Sequence, residues 1–252
     1  MLTVVKIGGA WLEAGGEDEA FEALAQLPGD LVVVHGGGGE ISRWLERSGI
    51  QVEWVKGLRV TRGDSLQLTA MVLSGWVNKE VVRALERAGR RSVGISGEDG
   101  GLLSAEYVDS ARLGEVGRVV SVDPLIVHLL LRGGFTPVIS PISTGPGGRP
   151  LNVNADESAI PIALNLGADR LLLLSDVPGV LADGKLVEAL DRGRAAGLER
   201  TGHLAGGMLV KVNQALDAAE AGVEVRIGDA SLLTREAGTR ISGSELLPAP
   251  ST

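Results

Sequence analysis

Two of the five lysines stand beside paired glycines. Lys6-Ile7-Gly8-Gly9 closes an apolar run, and Gly206-Gly207-Met208-Leu209-Val210-Lys211 opens a periodic one. Paired glycines let backbone N–H groups come close to an anion, and each lysine adds a cation. In a helix Lys211 would lie about 6 Å along the axis from Gly207, near the helix mouth. A third cluster, His35-Gly36-Gly37-Gly38-Gly39-Glu40, leaves donors unobstructed ahead of a helical pattern. It matches neither the P-loop nor the dinucleotide fingerprint, and His35 reads as a satisfied strand-end residue rather than an acid or base. Arg59, in Gly57-Leu58-Arg59-Val60-Thr61, could fork onto a carboxylate or simply sit on the surface. In Leu151-Asn152-Val153-Asn154-Ala155-Asp156 the two asparagines share one side of an extended chain, and Asn154 or Asp156 could cap the next helix. Singly, each segment also fits a tight turn, a snorkelling lysine or a cap. Together, two lysines, a carboxylate, an arginine and an asparagine pair are what phosphoryl transfer to an anionic acceptor needs, because that chemistry rests on positioning and cationic stabilisation.

These residues sit where elements begin and end. Strands are expected at Leu2 to Ile7, Leu31 to His35, Ser92 to Ile95, Pro137 to Ile142, Arg170 to Ser175 and Val223 to Ile227. Their continuous apolar character suits a sheet covered on both faces. Helical patterns fall between them, at Asp18 to Leu27, Glu40 to Ser48, Ser65 to Ala88, Asp123 to Arg132, Asp156 to Leu166 and Met208 to Ala221. The alternation implies an α/β fold with right-handed crossovers and a mostly parallel sheet. Gly97 to Val122 reads as a β-hairpin excursion and Ser143 to Pro150 as a flexible loop. Pro161 is expected to kink its helix. A soft boundary between lobes falls near Leu166 and Gly167.

Composition removes several alternatives. Glycine supplies 37 of 252 residues, about twice the usual share, yet there is no G-X-Y period and 44% of the chain is hydrophobic, so the glycines belong to a folded protein. With no cysteine and three histidines, disulfides, thiolate chemistry and a zinc centre are disfavoured. The net charge of −8 and the absence of a basic cluster argue against nucleic acid or an anionic membrane as partner. No apolar run approaches the roughly 18 residues of a span, and MLTVVKIGGA does not read as a signal peptide, so a cytoplasmic protein is expected.

The ordered set KIGG, HGGGGE, GLRVT, VNKE, LGEVGRV, LNVNAD, LLLLSDVPGVL and GGMLVKV, from about Val4 to Ile227, resembles the acetylglutamate kinases of the amino acid kinase superfamily. The resemblance implies a three-layer αβα sandwich around a mostly parallel open sheet of about eight strands. Residues 1–166 would be the lobe for the amino-acid substrate and dimerisation, and 167–252 the ATP lobe. The implied reaction is transfer of the γ-phosphoryl group of ATP, with Mg²⁺ held mainly by the nucleotide phosphates, to the side-chain carboxylate of N-acetyl-L-glutamate in arginine biosynthesis. By the same resemblance Lys6 and Lys211 neutralise the migrating group, Asp156 orients both lysines, and Gly9 and Gly37 give backbone donors. Gly37, Gly38, Arg59 and Asn152 would hold the acetylated amino acid, with Arg59 on its α-carboxylate. Asp176, Val177, Pro178, Gly179, Val180 and Leu181, together with His203, Leu204 and Ala205, would contact ATP.

The first strand starts almost at Met1, without the N-terminal helix of feedback-inhibited relatives, so a homodimer insensitive to arginine is expected. Two alternatives stay open. One is a kinase of the same fold acting on acetylated or carrier-linked aminoadipate, since one methylene is worth only about 1 to 3 kcal/mol in a pocket. The other is a non-catalytic amino-acid sensor, which would be expected to lose one of Lys6, Lys211 and Asp156.

Overall fold

The computed structural model describes residues 1–9, 12, 18–235 and 237–244. The strands are β1 (Leu2–Ile7), β2 (Asp30–His35), β3 (Trp54–Val55), β4 (Leu58–Arg59), β5 (Ser92–Ser96), β6 (Leu103–Tyr107), β7 (Val116–Val122) and β8 (Thr136–Ser140). They continue as β9 (Ile142–Thr144), β10 (Pro150–Val153), β11 (Arg170–Leu174), β12 (Leu181–Ala182), β13 (Lys185–Leu186), β14 (Ala189–Leu190), β15 (Glu224–Gly228) and β16 (Thr239–Ile241). The helices are α1 (Asp18–Ala25), α2 (Gly38–Arg47), α3 (Asp64–Ala70), α4 (Asn78–Arg87), α5 (Ser110–Leu113), α6 (Leu125–Arg132), α7 (Ala155–Asn165), α8 (Arg192–Arg200) and α9 (Gly206–Glu220).

Eight strands form one sheet in the order β14-β16-β15-β11-β1-β2-β8-β5. Its pairings are parallel except where β16 runs against β15. Period-two alternation splits each apolar strand between two cores. Val4, Val32, Val34, Leu171 and Leu173 pack beneath α7 and α9, while Val5, Val33, Leu172 and Leu174 pack against Phe21 and Leu24 of α1 and Val81 and Leu85 of α4. Each fully buried Val or Leu stabilises the fold by about 1.5–3 kcal/mol before entropy is counted. The result is the three-layer αβα sandwich expected from the sequence. Lys6 lies two residues beyond Val4 and so faces the layer of α7 and α9.

The excursion between β5 and β8 contains the antiparallel pair β6 and β7, which joins β9 and β10 in a second, closed sheet ordered β10-β7-β6-β9. This corrects the reading of Ser143 to Pro150 as a flexible loop. It is a tight antiparallel connection in which Gly145 N–H donates to Arg149 O at 2.6 Å, and Gly147 and Gly148 take left-handed φ of 71° and 75°. Glycine there serves turn geometry rather than mobility. Pro161, where a kink or an early irregularity is expected from the sequence, lies inside α7, which extends from Ala155 to Asn165. Buried Ile160 and Ile162 anchor the helix on either side, and Asn165 Nδ2 donates to the Pro161 carbonyl at 2.9 Å. The expected single helix from Ser65 to Ala88 is three segments: α3, a π-helical stretch from Met71 to Val77, and α4.

Candidate active site

The sheet's topology gathers the glycine loops. β1 and β2 are parallel neighbours with Ile7 opposite His35, so the loops following them leave the same edge side by side. A Cβ on Gly9 would stand 2.7 Å from Gly38 N, a separation that no real Cβ tolerates, so only glycine admits this contact of two backbones. Gly37 is closed from its other side by the π-helical stretch, where a Cβ would meet Leu73 at 2.9 Å and Val77 at 3.2 Å. α2 starts at Gly38, which places its unpaired N-terminal N–H groups and positive dipole end at this junction.

Two further helices begin nearby. Asn154 caps α7, its Oδ1 accepting from Asp156 N–H at 2.8 Å, which settles the capping role between the two candidates. Asp156 thereby lies in the first turn of α7, and Lys211 projects from the second turn of α9. Lys6 Nζ stands 2.9 Å from Asp156 Oδ1 and Lys211 Nζ stands 3.6 Å from Oδ2. The approach of Lys6 is at ion-pair distance but outside hydrogen-bond geometry, so charge rather than a directed bond dominates that contact. Burial opposes ionisation of Asp156, yet Lys6 and Lys211 together hold its pKa below the ordinary carboxylate value. Burial lowers the pKa of Lys6, with Asp156 acting against the shift and Lys211 adding to it. At ion-pair distance one carboxylate thus faces two ammonium groups, with Asp176 acting on Lys6 from further away.

A cleft of about 250 Å³ opens beside this triad, lined by Lys6, Gly9, Gly37, Arg59, Asn152 and Asp156, among others. Asp156 also borders a smaller cavity of about 160 Å³, which shares Gly57, Leu58 and Asn154 with the cleft and is lined in addition by Gly207 and Lys211. Arg59 sits on the short β3–β4 hairpin, where it pairs with Trp54 and its guanidinium lies 4.4 Å from the indole centre. Its Nη2 donates to Gly38 O at 2.7 Å and to Ser42 Oγ at 2.9 Å, whereas Nη1 is buried with no partner among the described residues. Burial lowers the pKa of Arg59, and among the described residues it has no carboxylate within ion-pair reach. Asn152 holds its amide nitrogen 3.0 Å from Thr61 Oγ1 as donor. Trp54 and Ser42, which shape the arginine, escaped the sequence reading. The available signal was an aromatic five residues before Arg59 across a Lys-Gly turn.

Lys6, Lys211, Asp156, Gly9, Gly37, Gly38, Arg59 and Asn152 therefore converge. The remaining candidates form a separate group. Asp176 to Leu181 follow β11, where the Val180 amide donates to Thr239 Oγ1 at 2.8 Å, and lead into the β12–β13 hairpin. His203 contacts that hairpin, with Nε2 2.8 Å from Asp183 Oδ1 and Nδ1 2.8 Å from Thr201 Oγ1. Leu204 is buried, and Ala205 is the residue before α9. The two groups adjoin through Asp176, whose charge is felt by Lys6, and through α9, which carries Lys211.

Comparison with known proteins fits this arrangement. Over 217 residues, 85% of this chain and 84% of the relative, the sequence is 41% identical to the acetylglutamate kinase of Geobacillus kaustophilus. It is 44% identical to that of Oleidesulfovibrio alaskensis over 237 residues, 88% of this chain and 80% of the relative. Among solved structures, the smu.665 protein of Streptococcus mutans superposes with a TM-score of 0.86 at 29% identity, covering 96% of this chain and 99% of that one. The model of the amino acid kinase family matches residues 1–229. The chain belongs to the amino acid kinase family.

Proposed function

We infer that this protein is an acetylglutamate kinase, which transfers the γ-phosphoryl group of ATP to the side-chain carboxylate of N-acetyl-L-glutamate and yields N-acetyl-L-glutamyl 5-phosphate, a step in arginine biosynthesis. The observation that carries the reading is Arg59 Nη1, a buried donor with no partner among the described residues, in the same cleft as Lys6 and Asp156. A guanidinium with one arm fixed by Gly38 O and Ser42 and the other open is built to take a carboxylate. Gly37 and Gly38 border the same amino-acid pocket. Asn152, whose nitrogen is engaged by Thr61, keeps its carbonyl oxygen for the acetamido N–H.

The acceptor carboxylate is ionised at neutral pH and needs no general base, so the site has to orient it and offset charge. Lys6 and Lys211 would draw the phosphoryl oxygens from two sides, with Asp156 holding both ammoniums in place. N–H groups of Gly9 and Gly37 would complete the cradle. The smaller cavity, bordered by Gly207 and Lys211 of α9 as well as by Asp156, would be the approach for the nucleotide phosphates. Asp176 to Leu181 and His203 to Ala205 would take the nucleotide, giving residues 1–166 the amino acid and 167–252 the ATP. Mg²⁺ would travel on the nucleotide phosphates and supply charge neutralisation there. A cytoplasmic homodimer belongs to the same reading. Among the described residues no helix is long and apolar enough to cross a membrane.

ADP release with N-acetylglutamate, glutamate, aspartate and N-acetylaminoadipate tests it. Turnover highest on N-acetylglutamate is expected. No turnover on any of the four would end the kinase reading, and comparable rates on the two acetylated acids would move the assignment to the aminoadipate class.

A further inference from the structure

His35 is fully buried at the end of β2, and the phosphoryl chemistry above makes no use of it. Among the described residues its ring nitrogens meet two polar groups: Nδ1 lies 2.9 Å from Gly36 O, and Nε2 lies 3.1 Å from Asn78 Nδ2. We infer that His35 is a positioning residue whose Nδ1–H holds the Gly36 carbonyl, and thereby aims the Gly37 N–H into the phosphoryl cleft, with Asn78 dictating which ring nitrogen carries the proton.

Asn78 is the first residue of α4, directly after the π-helical stretch. Its amide nitrogen also faces the Val138 carbonyl at 2.9 Å and the Ile95 carbonyl at 3.3 Å. Its Oδ1 accepts from Lys79 Nζ at 2.9 Å. Two strand carbonyls on one side and an ammonium on the other fix the amide in a single orientation, nitrogen toward the sheet. That nitrogen can only donate, so His35 Nε2 must be the bare, accepting nitrogen. The ring proton then sits on Nδ1, where the Gly36 carbonyl accepts it. The room for this amide is cut out of β5: a Cβ on Gly94 would lie 1.9 Å from Asn78 Oδ1.

The consequence for the cradle follows from peptide geometry. In a trans peptide the C=O and the following N–H point in opposite directions. Gly36 N–H is already spent on the Ile7 carbonyl at 2.9 Å, so the Gly36–Gly37 plane is the next free element of the loop. Drawing its carbonyl toward His35 turns the Gly37 N–H to the opposite side of that plane, and Gly36, Gly37 and Gly38 all line the cleft. Four consecutive glycines have no side chains to set this plane themselves, which is why a buried ring is needed. Burial also keeps the ring neutral, with its pKa lowered to about 4, so the single-proton tautomer persists at working pH.

This inference rests on the kinase reading, and the test separates the two. Long-range ¹H–¹⁵N correlation spectra of the wild-type protein, which has three histidines, report the tautomer without any turnover. The Nδ1–H form is expected for His35, and the Nε2–H form or an imidazolium at pH 7 would overturn the inference. Two variants add the kinetic arm. His35→Asn keeps a donor at the Nδ1 position, whereas His35→Gln reaches Asn78 but offers nothing to Gly36 O. With N-acetylglutamate and ATP, His35→Gln should lose about 100-fold in kcat, the scale of a misaimed donor, with both KM values within about threefold; His35→Asn should recover most of that loss. Equal losses in the two variants would overturn the positioning role. Absence of turnover in the wild type would overturn the kinase reading instead, leaving the tautomer to be judged on the spectrum.

Discussion

Asp156 divides its carboxylate between two lysines, with Oδ1 2.9 Å from Lys6 Nζ and Oδ2 3.6 Å from Lys211 Nζ. The lysines come from opposite ends of the chain, one at the edge of β1 and the other on α9, and only the sheet's strand order brings them together. Both ammoniums are largely buried, their side chains 8% and 13% exposed, which is costly unless an anion faces them. One carboxylate neutralises one of the two. The surplus positive charge is stored for a ligand, and the account of function depends on it.

Lys211 should matter most when negative charge is spread over the transferring group. Lys211→Ala is expected to lower kcat about 100- to 1000-fold while KM for either substrate moves much less. Initial-rate kinetics decide the matter, and a change confined to the KM for ATP would assign Lys211 to ground-state binding alone.

Replacing Asp156 by Asn removes the one carboxylate that, among the described residues, lies within ion-pair distance of both lysines, and leaves two buried ammoniums close together. Breaking a buried pair of this kind costs about 3–5 kcal/mol, read as a lower urea midpoint at pH 7. Because the folded-state pKa of Asp156 is depressed, its contribution is present above the unfolded value of about 3.9 and fades as pH falls through the folded value. The wild-type and Asp156→Asn stabilities should therefore converge in strong acid. A constant difference down to the lowest accessible pH would contradict the charge-based explanation.

Arg59 is expected to act on binding more than on the chemical step. Arg59→Lys keeps a charge but loses the fork, so KM for N-acetylglutamate should rise about 10- to 100-fold with little change in KM for ATP. If ATP affinity fell instead, the arginine would belong to the nucleotide rather than to the α-carboxylate.

The buried neutral imidazole of His35 has a signature in stability. Its folded pKa is near 4 and its unfolded pKa near 6.5, so between those values the unfolded chain binds a proton that the folded chain refuses. Stability from this group is thus intact above pH 6.5 and declines as pH drops toward 4, by about 2–3 kcal/mol at pH 4.5. Urea denaturation of wild type and His35→Asn at pH 7 and pH 4.5 measures it, since the variant lacks the titrating ring. Parallel losses in the two proteins would show that His35 does not carry the effect.

Six strands of the main sheet, β1, β2, β5, β8, β11 and β15, were legible because their apolar runs are buried within it, and a continuous run flanked by glycine or polar residues marks such a strand within a residue or two, whereas the short edge strands β14 and β16 carry no such run. The short pairs β3–β4 and β12–β13 were not legible either, because two residues show no periodicity. Nor does the π-helical stretch at Met71–Val77 betray itself, since its apolar spacing resembles that of the α-helix on either side. Within the site, the glycine-flanked lysines were readable from residue type and position. What Arg59 rests on was not: Trp54 and Ser42 reach it through a hairpin and a helix turn that only the folded chain juxtaposes. His35 shows the same limit, since its bonding to Asn78 spans 43 positions.

The central claim is that the surplus charge around Asp156 serves phosphoryl transfer to a carboxylate, rather than hydrolysis of ATP or mere binding of an anion. Trapping the acyl phosphate with hydroxylamine measures that product directly. With N-acetylglutamate and ATP, the wild-type protein should form one hydroxamate per ADP released, and Lys211→Ala should lose both together. ADP released without hydroxamate, or hydroxamate formation untouched by Lys211→Ala, would contradict the account.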